Sequence, residues 1–152
     1  MGRFDLALAG LLFVGCCVMA GCGSGPDVVV SEDKSAQNLQ QIGAAYSLAT
    51  VKNMRPPRDA ADLIEAMKSV PGTADPATIL RSPDDNEEYV IVYGVDFAQV
   101  AKARGNVDVI LAYEKTGKGD KRHVLKPPAQ IMVLTDEQFR AAAFPPGHTP
   151  AP

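Results

Sequence analysis

The chain has 152 residues, enough for one domain, and its 15 basic and 18 acidic side chains leave a net charge of −3. That balance, with a pI of about 5.3, excludes a broadly electrostatic nucleic-acid binder. The cysteines are Cys16, Cys17 and Cys22, so nothing after residue 22 can enter a disulfide or a thiolate metal site.

Met1-Gly2-Arg3 opens the chain with positive charge, and an uncharged, mostly apolar stretch runs from Leu6 to Ala20. Its fifteen residues fall short of the ~20 a spanning helix needs, and fit the apolar region of a secretory signal. Met19-Ala20-Gly21-Cys22 resembles the bacterial lipobox, an apolar residue and two small ones before a cysteine. The resemblance implies removal of residues 1–21, a thioether-linked lipid on Cys22, and a lipid bilayer as partner on the non-cytoplasmic side of the cell envelope. Several acyl chains, at ~0.8 kcal/mol per buried methylene, anchor stably where one does not. Residues 22–34 then read as a flexible linker from Cys22. Gly23, Ser24, Gly25 and Pro26 suit that role, and the twelve residues from 23 to 34 span roughly 20 Å.

The first helix is expected over 36–53. Leu39, Ile42, Tyr46 and Ala49 fall on one stripe. Ser35 or Ser31 caps its start, and Pro56 limits its end. A second helix follows at DAADLIEAMKSV, with Asp59 as cap, Asp62 three residues on, and Leu63, Ile64 and Met67 as its apolar face. Pro71-Gly72 stops it, and residues 71–88 read as loop. The period then changes. Tyr89–Tyr93 and Val107–Tyr113 are strand signals, and Arg122–Leu125 and Gln130–Leu134 form two shorter ones bent apart by Pro127-Pro128. Thr135 to Gln138 is a capping box that opens a last helical turn. Residues 145–152, rich in proline, read as a disordered tail. Helices first and strands afterwards argue an α+β domain over 35–144, with the N-terminal helix packed on a small antiparallel sheet.

The segment from Gln37 to Tyr46 (QNLQQIGAAY) resembles the helix of pseudopilin-like proteins of the type II secretion class. Arg55-Pro56-Pro57, Ser82-Pro83-Asp84-Asp85 before Tyr89, and Leu111-Ala112-Tyr113-Glu114 are similar to later parts of that family. The resemblance spans roughly 35–144 and implies its fold, a helix laid on a small sheet. It also implies a link to a secretion or pilus-like system. The family's long apolar N-terminal helix is replaced here by the lipobox. Its aspartate-glycine-histidine turn is replaced by Lys126-Pro127-Pro128-Ala129.

Candidate chemistry is sparse. His123 stands among Lys121, Arg122 and Lys126, whose charges favour its neutral form. No nucleophile is placed beside it, so the chain is not expected to be an enzyme. Asp84, Asn86 and Glu88 alternate in the densest acidic run and are the candidate metal ligands, for calcium. Lys118, Lys121 and Arg122, at a glycine-rich turn, are the candidate contacts for lipid headgroups or an acidic partner. The expected function is a membrane-anchored lipoprotein with a non-catalytic structural or interaction role, an unidentified envelope protein as partner, and no required cofactor. The alternative is a calcium- or small-ligand-binding module built on the Asp84–Glu88 loop.

Overall fold

The computed structural model describes residues 27–28, 33–70, 72, 74–105 and 108–150. The signal segment and Cys22 lie outside the described residues.

Helix α1 spans Lys34–Asn53, and its cap is Asp33 rather than a serine. The Asp33 carboxylate accepts the backbone N–H groups of Ser35 and Ala36, donors that a helix start leaves unpaired. Leu39, Ile42, Tyr46 and Ala49 are fully buried, as the stripe predicts. The helix ends at Met54, in the left-handed conformation at φ 53°, one residue before Arg55-Pro56-Pro57. Helix α2, Ala60–Lys68, is capped by Asp59 through the Asp62 N–H. It packs Leu63 and Met67 against α1, with Ile64 half-buried.

The segment expected to be all loop contains a helical turn, α3, Pro76–Ile79, capped by Asp75 and burying Ile79. A further helix unforeseen in the sequence, α4, covers Phe97–Arg104, between Asp96 as cap and Gly105 at φ 76°. Helix α3 is a single turn with no repeat to read, and α4 fully buries only Val100, so caps alone mark them.

The sheet is antiparallel. Strands β2 (Val90–Ile91), β3 (Ala112–Tyr113), β4 (Lys121–Lys126) and β5 (Gln130–Thr135) pair in chain order. A two-residue strand, β1 (Asp27–Val28), adds to the free edge of β5. The β4–β5 hairpin turns through a cis Pro127-Pro128 bond. Thr135–Gln138 forms the expected capping box and starts α5, Asp136–Ala141. Two stretches of the expected linker are thus part of the fold. Asp27 and Val28 pair with Val133 and Met132, and Asp33 and Lys34 begin α1.

Alternation along the strands assigns the two faces. Ala112, Leu125 and Ile131 share a row facing α1, and Tyr113, Val124 and Met132 share the opposite row. Gly43 lets α1 lie close, since a Cβ there would meet the Leu125 methyls at 3.2 and 3.3 Å. The opposite row is covered by Phe139 of α5 and by Phe144. The expected disordered tail is folded back here as far as residue 150. Pro145 is buried, and His148 Nε2 lies 3.1 Å from the Tyr113 hydroxyl with its ring against Phe144. Tilted and edge-on ring contacts and a polar partner hold these proline-flanked residues where composition alone predicts disorder.

Candidate functional site

Where α1 begins, its apolar stripe runs into polar groups. Ser35 lies one helical turn before Leu39 and is fully buried. It faces Glu114, the residue after β3, which is also fully buried. One Glu114 oxygen accepts hydrogen bonds from the hydroxyls of Ser35 and, at 2.8 Å, Ser82. The other accepts the His123 backbone N–H at 2.6 Å and faces His123 Nδ1 at 3.1 Å. The Tyr89 hydroxyl closes the network, 2.7 Å from the Ser35 hydroxyl and donating to the Ser35 carbonyl. Four donors on one buried carboxylate account for its ionisation. Burial pushes Glu114 up, and the His123 imidazole, the His123 N–H and the two hydroxyls together hold it below the usual range.

His123 reverses the expectation drawn from its sequence neighbours. The pleat sends Arg122 and His123 to opposite faces. Burial pulls the imidazole down. Glu114, by hydrogen bond and charge, then Asp33 and Asp84 outweigh this and raise its pKa. Asp84 Oδ2 is 3.5 Å from Nδ1, and Asp33 Oδ2 is 3.7 Å from Nε2. Asp84 itself is raised, by burial and then by the charges of Glu114 and Asp33. The three acids come from the cap of α1, the loop after α3 and the end of β3. Nothing in the spacing of residues 33, 84 and 114 announces that they meet. The one sequence signal is polar residues interrupting apolar patterns, Ser35 on a helical stripe and Glu114 at the end of VDVILAY.

The outer side of His123 opens into a cavity of about 290 Å³, lined by Asp33, Asp84, Lys118, Lys121, His123 and Val133. Of the candidate metal ligands, Asp84 faces His123, while Asn86 and Glu88 are exposed. Among the described residues, the acidic and histidine side chains able to converge on one ion are Asp33, Asp84 and His123. Of the candidate headgroup contacts, Lys118 and Lys121 are exposed on the cavity rim. Arg122 is not available for that role. It is buried, pairs with Asp136 at 2.7 Å, donates to the Lys115 carbonyl and lies 4.3 Å over the Phe139 ring. The turn that carries the lysines is clamped by Asp85, whose carboxylate accepts the N–H groups of Thr116 and Gly117. Gly117 stands at φ 74°, and a Cβ there would lie 2.3 Å from the Lys121 carbonyl, so only glycine fits.

No protein-family model, characterised protein or solved structure matches this chain.

Proposed function

We propose that this is a lipid-anchored protein of the bacterial envelope with a non-catalytic, interactive role. The observation that carries the reading is Met19-Ala20-Gly21-Cys22 at the exit of a short apolar run. No helix among the described residues is long and apolar enough to cross a membrane. In this reading acylated Cys22 is the attachment. The tether is short. Five residues on from Cys22 is Asp27, paired to β5, a reach of at most ~18 Å. The anchor therefore keeps the β1–β5 edge near the bilayer. Val133, the partner of Asp27, lines the same cavity as Lys118 and Lys121. Those lysines are the headgroup contacts, each adding about 1 kcal/mol near an anionic surface.

The non-catalytic part rests on the network. Ser35 and Ser82 spend their hydroxyls on buried Glu114, which ties them to the fold. In this reading the pseudopilin-like resemblance of Gln37–Tyr46 points to a secretion-linked envelope protein as partner.

The test is mass spectrometry of the membrane-extracted mature protein beside the Cys22→Ser variant. The reading requires an acylated N-terminal Cys22 in the first and loss of lipoprotein processing in the second. An unmodified Cys22, or a mature chain beginning elsewhere, overturns it.

A further inference from the structure

We propose that Asp33, Asp84 and His123 form a binding site for a divalent transition metal of the zinc class. The three donor atoms lie within 4.8 Å of one another. Tetrahedral zinc, with nitrogen and oxygen ligands at ~2.0–2.2 Å, sets ligand atoms about 3.4 Å apart. Asp33 Oδ2 and His123 Nε2 already stand 3.7 Å apart.

The second observation is the histidine itself. Its side chain is nine-tenths buried, at 10% exposure, yet Nε2 makes no hydrogen bond among the described residues and faces the cavity. Nδ1 is committed to Glu114 at 3.1 Å, and Asp84 Oδ2 lies 3.5 Å from that same nitrogen, so the Asp84 carboxylate turns toward Nε2 to complete the site. A carboxylate behind one imidazole nitrogen fixes the tautomer and leaves the other nitrogen's lone pair for a metal. Glu114 is therefore a positioning residue for His123.

The remaining ligands are pre-set too. Asp33 uses Oδ1 to cap α1, so that Oδ2 is held toward the histidine. Asp84 is placed by its N–H, which donates to the Ser82 hydroxyl. Three carboxylates, Glu114 included, surround one imidazole, an excess of negative charge that a dication neutralises. Lys118 and Lys121 supply part of that compensation from the rim. Both are exposed, so their heads can swing into water when an ion enters. A nitrogen ligand and only three protein donors disfavour calcium, which takes 6–8 oxygens, and favour zinc with water in the open position. The site does not depend on the lipid anchor.

The test is calorimetric titration of the chelator-stripped, detergent-solubilised full-length protein with zinc chloride and with calcium chloride. Cobalt absorption reports the geometry. The proposal expects one saturable zinc per chain, a tetrahedral cobalt spectrum and no comparable calcium binding. Asp33→Asn keeps the helix cap, since asparagine caps as well as aspartate. It should weaken zinc at least tenfold while circular dichroism stays unchanged. His123→Gln should remove binding, and Glu114→Gln should weaken it by about 10–100-fold. Absence of saturable binding, equal affinity for calcium, or zinc binding indifferent to both Asp33→Asn and His123→Gln would overturn it. The last result would place the metal elsewhere on the chain.

Discussion

Replacing Glu114 separates the charge of the buried network from its hydrogen bonds. Glu114→Ala removes the acceptor from four donors at once. The Ser35 hydroxyl still has Tyr89 at 2.7 Å. The His123 backbone N–H has no replacement in the network, at about 1–3 kcal/mol for a buried orphan, while Nδ1–H keeps only the Asp84 carboxylate at 3.5 Å. With the loss of a buried charge partner, the expected cost is about 3–5 kcal/mol. Glu114→Gln keeps the shape. Its amide nitrogen can face Ser35 and Ser82, because hydroxyls accept as well as donate, and its carbonyl then keeps both His123 bonds. What goes is charge assistance, the difference between about 1.5–3 and 0.5–1.5 kcal/mol per bond. Over two bonds that is about 2 kcal/mol. Urea unfolding followed by circular dichroism, with chelator present, reads both variants as midpoint shifts at constant slope. A Gln variant as unstable as the Ala variant would refute the orientation argued for the network. Two variants within about 0.5 kcal/mol of the parent would refute its structural role altogether.

Leu39 is fully buried between α1 and the core, so Leu39→Ala should cost about 2–5 kcal/mol in the same assay; a loss under 1 kcal/mol would contradict the packing. The tyrosines set an alkaline limit. Burial, the leading cause in each case, pushes the Tyr46 and Tyr89 hydroxyls up to about 12. Both raised values favour the neutral phenol in the folded state. Their stabilisation is therefore complete below the ordinary value of 10 and is lost as pH climbs from there through about 12. Phenolate absorbance should show these two titrating together with alkaline unfolding, and titration of all four tyrosines near 10 in the folded chain would disprove it.

The elements legible in the sequence are those whose signals are local. The α1 stripe needs only the 3.6-residue period, and the buried positions Leu39, Ile42, Tyr46 and Ala49 follow from it. Asp59 and the Thr135–Gln138 box mark helix starts through backbone donors that any helix leaves open. The β4–β5 hairpin shows as two strand-forming runs about a proline pair. Helix α3 is one turn, and α4 fully buries only Val100, so neither shows an apolar stripe. Strands β2 and β3 are shorter than their apolar runs because the chain leaves the regular ladder, although Val109–Tyr113 stay buried. Apolar content reports burial, and ladder length depends on neighbours far along the chain.

The site divides along the same line. The anchor reading at Cys22 belongs wholly to sequence, because a peptidase and an acyltransferase read a few adjacent residues. The charge state of His123 belongs wholly to tertiary structure. Along the chain it sits beside Lys121, Arg122 and Lys126, and the expected influence is repulsion. In space the pleat turns Arg122 away onto Phe139 and Asp136, and folding brings Asp33, Asp84 and Glu114 to the imidazole instead. Electrostatic energy depends on distance through space, and residues 33, 84, 114 and 123 acquire short distances only when α1, the loop after α3 and the sheet have packed together.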